Sequence, residues 1–219
     1  GPYLLGGHTA SGLWVDAGRR STIAGLYAAG DVAGGAPKKY VSGAWVEGFR
    51  AARSALSDLA TGALPEAADV DRSWASALGA KVGEALVHPG RLRPEEATER
   101  LQTVMDEYAG GISTFYELHG RRLEVAAREL EALEGDLTEL GVNDLHGLLL
   151  ATELRDRVLT ARALVAHLAT RLETRWPGYQ TRVDYPDTDD RWACFVNSRM
   201  ENGNFHVFTR PLQDTGPRS

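Results

Sequence analysis

The sequence predicts an α+β fragment: short strands and one helix from an α/β domain, then an antiparallel helical bundle and a C-terminal β-hairpin tail. Three observations carry this. Glycine is concentrated at one end, with 11 of 24 glycines in residues 1–48. From about Pro65 the composition turns to Ala, Leu, Glu and Arg, and from Pro94 apolar residues recur three and four apart. Near the end, Asn202-Gly203 separates two apolar runs, a strong short-range hairpin signal.

Each element has its own reason. Leu13–Asp16 and Gly25–Ala29 are short apolar runs bounded by glycine and polar residues, so both are expected to be strands, joined by a turn over residues 17–21. A Gly-rich loop with Pro37 follows Gly30-Asp31. Ser42 or Gly43 then opens a helix to about Thr61, with Val46, Phe49, Ala52, Ala55, Leu56 and Leu59 at helical spacing; Gly62 closes it and Pro65 follows. Pro94-Glu95-Glu96 starts a second helix, with Leu101, Val104, Met105, Tyr108 and Ile112 as its stripe and Gly110-Gly111 as a kink. A third spans Arg121 to Leu140 on Leu123, Ala127, Leu130, Leu133 and Leu137. Asn143 or Asp144 caps a fourth, running to about Arg175 on Leu148, Leu149, Ala151, Leu154, Val158, Ala161, Val165, Leu168 and Leu172. Short connections make these helices antiparallel neighbours. The expected organisation is a first domain part over 1–63, a linker or helical connection over 64–93, the bundle over 94–176 and the tail over 177–219.

Composition narrows the function classes. The chain has 219 residues and a net charge of −6, which argues against a general nucleic-acid or anionic-membrane binder. The first 60 residues nevertheless hold six Lys/Arg against four Asp/Glu, a local excess suited to an anionic ligand. No apolar run is long enough for a transmembrane segment. A single cysteine, Cys194, supports neither a disulfide framework nor a cysteine-ligated cluster within this chain and fits a reducing, cytoplasmic setting. His119, His146 and His167 have no second ligand at suitable spacing, so no metal site is indicated. The opening Gly-Pro-Tyr-Leu-Leu is mid-domain in character, and the chain is expected to be the C-terminal part of a longer protein.

The most informative stretch is Gly25-Leu-Tyr-Ala-Ala-Gly-Asp31 through Gly34-Gly35 to Ser42-Gly43. Strand, Gly-rich loop and helix are the form of a cofactor-binding turn. A carboxylate after a strand can accept a hydrogen bond from a ribose or ribityl hydroxyl, and the following helix aims free N–H groups and partial positive charge at what lies before it. Asp31 equally fits a turn cap. A Walker loop is excluded because Ala36 follows Gly35, and no Gly-x-Gly-x-x-Gly is present.

Thr22-Ile-Ala-Gly-Leu-Tyr-Ala-Ala-Gly-Asp31 with its loop and helix resembles the second flavin-contacting segment of the succinate dehydrogenase/fumarate reductase flavoprotein superfamily. Arg171-Leu-Glu-Thr-Arg-Trp-Pro-Gly-Tyr179, Asp184-Tyr-Pro-Asp187, Asp189-Asp190 and Trp192-Ala-Cys-Phe-Val-Asn-Ser198 resemble its adenylylsulfate reductase α-subunit branch. The resemblance implies an FAD-dependent oxidoreductase that interconverts adenylylsulfate with sulfite and AMP, with a ferredoxin-like iron–sulfur subunit as electron partner; the alternatives are a fumarate reductase/succinate dehydrogenase-like flavoprotein with an altered substrate and a non-enzymatic helical interaction module. It makes residues 1–63 the C-terminal part of an FAD-binding domain, inactive as a fragment by itself. Gly30 and Asp31 match the turn at the ribityl chain, and Ala44, Trp45 and Val46 the helix start facing the flavin pyrimidine edge. His8 matches an active-site position beside the flavin, though it also fits a loop histidine bonded to backbone. Tyr40 stands where the dicarboxylate branch has an Arg, and Gln180 where it has a His; an aromatic at position 40 suits stacking on adenine. Lys38 and Lys39 are placed to meet a small anionic substrate or to lie as solvated surface lysines. Glu173, Arg175 and Arg182 are expected to tie the bundle to the flavin domain through ion pairs, with Arg175 or Arg182 also in reach of FAD or substrate.

Overall fold

A glycine-rich segment offers few side chains for packing, so its path must be fixed by hydrogen bonds. The computed structural model describes residues 11–35, 40–64, 73–87, 90–175 and 180–212, in two units, Gly1–Arg72 and Ser73–Ser219. In the first unit the two expected strands are reduced to isolated bridges. Leu13 pairs with Ala33 in parallel, and Arg20 pairs with Tyr27 antiparallel. The physical reason is local: the Asp16 carboxylate accepts the Arg20 N–H at 2.9 Å and Arg19 takes the left-handed conformation, φ 69°. The chain therefore folds back before a ladder can extend.

Helix α1 spans Val41–Thr61, starting slightly earlier than expected, and ends on Gly62 as a left-handed cap. Most of its apolar stripe is not the face that packs on the described residues. Val46, Phe49, Leu56 and Leu59 are 55–67% exposed. The face that packs carries Ala44, Glu47, Gly48, Ala51, Ser54, Ala55 and Asp58, and Glu47 is the one buried residue of the helix. Small residues let the loop approach closely, and two carboxylates fasten it.

The second unit begins with α2, Ser73–Val87. Three helices then form the core: α3 (Pro94–Tyr108), α4 (Gly120–Asp136) and α5 (Leu145–Thr170). Pro94 at the first turn and Glu96 reaching back to the Arg93 N–H start α3. It ends at Tyr108 rather than kinking at Gly110-Gly111, and Ile112 is exposed. His119 caps α4 and Asp144 caps α5, whose Gly147 N–H donates to the Asp144 carboxylate at 2.7 Å. Helix α5 stops at Thr170, before Arg175. Pairs across the helices show antiparallel packing. Leu92 bridges Leu140 while Arg100 reaches Glu129 and Asp136; Arg155 meets Leu137 while Arg162 meets Glu134.

Leu101, Val104, Leu123, Ala126, Leu130, Leu133, Ala151, Leu154, Val158 and Val165 form the buried centre. Ala126 replaces the expected Ala127, and Leu149 and Leu172 face outward. The hairpin forms as β3 (Cys194–Glu201) and β4 (Asn204–Pro211), with Glu201 opposite Asn204. That register leaves a two-residue turn, Asn202 (φ 50°) and Gly203 (φ 78°), both left-handed as a type I′ turn requires. The hairpin lies on α5 through His167 and Ser198 at 2.8 Å and Arg162 on the Gly203 carbonyl at 2.9 Å. Short parallel strands β1 (Glu117–Leu118) and β2 (Thr181–Arg182), invisible in the sequence, tie the tail to the α3–α4 connection.

Leu130 is completely buried. Leu130→Ala is expected to lower unfolding free energy by about 3 kcal/mol, read from denaturant midpoints at unchanged m. A loss below about 1 kcal/mol would contradict this packing.

Candidate functional site

The loop of the first unit is assembled on the polar face of α1. Backbone bonds first close the loop on itself: the Leu13 N–H donates to Val32 O and the Gly34 N–H to Leu13 O, both at 2.8 Å. Arg20 and Tyr27, paired across their bridge, then converge on one carboxylate. The Arg20 guanidinium donates to both oxygens of Asp58 at 2.6 and 2.7 Å, and the Tyr27 hydroxyl donates at 2.6 Å. These bonds hold the Asp58 carboxyl down at about 2, the Arg20 bonds contributing most, and the same contact pushes the Tyr27 phenol up.

About three helical turns before Asp58, α1 carries Glu47, and Ala44 about one turn earlier still. Glu47 accepts the Gly30 N–H at 2.8 Å and pairs with Arg19 at 3.3 Å. Gly30 is left-handed, φ 72°, and a Cβ there would stand 3.3 Å from Ala44 Cβ. So the Gly30–Val32 3-10 turn rests against the first turn of α1, and exposed Asp31 is held beside that helix end.

The helix end itself is built to receive an acceptor. Tyr40 is the N-cap residue, its side chain makes no capping bond, and the first turn has no acid. Helix geometry leaves the N–H groups of Val41, Ser42 and Gly43 without intrahelical acceptors, while the Ala44 N–H already donates to Tyr40 O at 2.8 Å. The amides open to a ligand therefore lie one turn before the expected Ala44, Trp45 and Val46. Trp45 and Val46 instead present exposed apolar surface with Tyr40 and Val41. A left-handed glycine, an adjacent carboxylate and an uncapped helix start next to exposed aromatic surface fit the ribityl chain and pyrimidine edge of a flavin.

Other expected residues are placed differently. His8, Lys38 and Lys39 lie outside the described residues. Arg182 is 4% exposed and already engaged: it pairs with Asp184 at 2.7 Å, donates to the carbonyls of Leu168 and Arg171, and stacks over Tyr185. It is a buried clasp of the tail rather than a group open to substrate. Glu173 accepts from Arg171, Arg175 and the Asp189 N–H. Burial pushes its carboxyl up, but these donors outweigh it and leave the value lowered. The ion pairs described for Glu173, Arg175 and Arg182 are made inside the second unit. An open cleft of about 550 Å³ beside them is lined by Tyr185, Asp187, Asp189 and Trp192. Sequence reasoning missed Glu47 and the Arg20–Tyr27–Asp58 latch; the signal was two acids at helical spacing on the face of α1 without bulky residues.

Because the folded Asp58 value lies below that of an unfolded aspartate, the latch contributes stability above the usual carboxylate range and loses it as pH falls toward 2. Carboxyl NMR titration should place the Asp58 midpoint near 2, moving upward in Arg20→Met. A midpoint in the ordinary range in the unsubstituted protein would contradict the latch.

No protein-family model matches the chain. It is 28% identical to the adenylylsulfate reductase subunit alpha of Megalodesulfovibrio gigas, over 99% of this chain and 38% of that protein. It is 33% identical to the L-aspartate oxidase of Streptomyces coelicolor, over 91% of this chain and 34% of that protein. The chain thus spans little more than a third of the length of these curated relatives. Its structure is similar to adenylylsulfate reductase from Archaeoglobus fulgidus, with a TM-score of 0.82 and 35% identity over 92% of this chain and 34% of that one. The same fold occurs in E. coli quinol fumarate reductase, with a TM-score of 0.80 and 18% identity over 96% of this chain and 37% of that one. No described helix is long and apolar enough to cross a membrane. With these matches falling in the C-terminal region of such enzymes, the chain belongs to the succinate dehydrogenase/fumarate reductase superfamily of flavoproteins.

Proposed function

We propose that the whole protein is an FAD-dependent adenylylsulfate reductase, forming sulfite and AMP with electrons from a ferredoxin-like iron–sulfur subunit. In this reading residues 1–63 complete an FAD-binding domain, 94–176 are its helical domain, and the bundle and tail are the docking surface for the partner. The carrying observation is Tyr40. By the resemblance it matches the position of the dicarboxylate branch's Arg, and it is 58% exposed at the start of α1. A phenol cannot hold a carboxylate through two parallel bonds as guanidinium does, whereas its ring can stack on adenine. The identities to adenylylsulfate reductases over almost the whole chain support the same substrate.

FAD, when bound, supplies two-electron chemistry at sulfur. The chain's own residues hold and polarise. Asp31 accepts from a ribityl hydroxyl. The amides of Val41, Ser42 and Gly43, with the positive end of the α1 dipole, stabilise negative charge at the flavin's pyrimidine edge. Tyr40 orients the adenine, and the resemblance assigns His8 to the active site and Lys39 to the anionic substrate. A dicarboxylate reaction is the second reading, favoured by the 33% identity to an L-aspartate oxidase and opposed by Tyr40 and Gln180.

The test is anaerobic titration of the full-length, flavin-loaded protein with sulfite, with and without AMP. Flavin bleaching that needs both ligands is expected. Bleaching by reduced dye that fumarate reverses, with no response to sulfite and AMP, would move the assignment to the dicarboxylate branch. Tyr40→Ala should raise KM for adenylylsulfate about tenfold while Tyr40→Phe stays near the parent, the size of one aromatic stack. Equal KM values in all three proteins would remove Tyr40 from the substrate site.

A further inference from the structure

Helix α1 has 21 residues, and the one buried among them is a glutamate. Glu47 is 6% exposed, in a position where a leucine or methionine would cover more of the loop. A buried carboxylate is costly unless it is paired and hydrogen-bonded, and such pairs rarely add stability over an apolar replacement. Its partners show what the charge achieves. One is Arg19, itself in the left-handed region, with a buried Nε that has no partner among the described residues. The other is a backbone group, the Gly30 N–H at 2.8 Å.

That backbone group sits at the pivot of the site. Gly30 is left-handed and packed on Ala44, and the 3-10 turn it begins contains Asp31. Glycine has the widest choice of φ and ψ, so a turn opening on it needs an outside constraint to hold one orientation. The Glu47 bond and the Ala44 contact, one helical turn apart on α1, supply two points of fixation. Direction follows from the chain: a rotation about Gly30 moves Asp31 directly. Arg19 neutralises Glu47, so the carboxylate that holds the turn does not repel the one that the turn displays.

We propose that Glu47 is a positioning residue for flavin binding, acting through the Gly30 N–H to set where Asp31 presents its carboxylate. This rests on Asp31 contacting the flavin ribityl chain. Its energetic signature is coupling: the benefit of Glu47 exists only while Asp31 can use its position.

The experiment is a double-mutant cycle on the full-length protein, stripped of flavin and reconstituted with FAD, read by flavin fluorescence and by visible circular dichroism of the bound flavin. Asp31→Ala and Glu47→Ala are each expected to weaken FAD binding about tenfold. In the Asp31→Ala background, Glu47→Ala should add less than about twofold. Glu47→Gln, which keeps an acceptor for the Gly30 N–H, should recover most of the affinity and the native dichroism; it also serves if Glu47→Ala does not fold. Equal losses from Glu47→Ala with and without Asp31, or a Glu47→Gln protein as weak as Glu47→Ala, would overturn the positioning role. Asp31→Ala binding FAD like the parent would instead overturn the ribityl contact on which it rests.

Discussion

A carboxylate withdrawn from water must be supplied with donors, and this constraint holds the irregular parts of the chain in place. Four carboxylates act as such nodes. Asp58 gathers Arg20 and Tyr27; Glu47 gathers Arg19 and the Gly30 N–H; Glu173 gathers Arg171, Arg175 and the Asp189 N–H; Asp184 gathers Arg182 and the Gly120 N–H. Each joins a regular helix or helix end to a stretch that has no ladder of its own. Apolar burial cannot do this, because it is non-directional and leaves a Gly-rich loop free to slide. A fork of charge-assisted bonds fixes distance and angle together.

The two units use different physics as a result. In the second unit, leucines at three- and four-residue steps make a close-packed interior around Leu123, Leu130, Leu133, Leu154 and Val158, and charges matter mainly where the tail is fastened. In the first unit the only described buried apolar residues are Ala28 and Ala33, and the path is set by backbone bonds and by the acids of α1. The apolar side of α1, from Trp45 to Leu59, is left uncovered by the described residues. Its exposed aromatic and branched residues border the helix start assigned to the flavin, so polar fixation on one side leaves the other side available for apolar contacts.

Legibility from sequence followed the same division. Helices of the bundle were legible because periodicity and caps agree: Asp144, Pro94 and Asn202-Gly203 all fall where local chemistry requires them. Helix ends were less so, since Gly110 terminates α3 rather than bending it, and Thr170 ends α5 where the tail clasp begins. The strands at Leu13 and Gly25 failed because Asp16 and Arg19 turn the chain locally, a choice that apolar run length does not encode. The packing face of α1 was not legible for a deeper reason. Apolar spacing predicts which face is buried only if the burying partner is in view, and here the partner in view is a polar loop.

The site combines what was legible with what was not. Gly30, Asp31 and Tyr40 are recognisable by type and order, because a left-handed turn, a carboxylate and a helix start have fixed chemical preferences. Their relative placement depends on Glu47 and Asp58, whose roles appear only when residues 17 and 38 positions apart come together, as in Glu47 with Gly30 and Asp58 with Arg20. Residues that would touch a ligand are thus marked by local chemistry, and residues that aim them are marked only by tertiary contact. The same holds for Arg182: its type suits an anionic substrate, but its buried bonds to Asp184, Leu168 and Arg171 make it part of the tail's attachment. Residue type sets what a side chain can bind, and the donors and acceptors already around it decide whether it is free to do so.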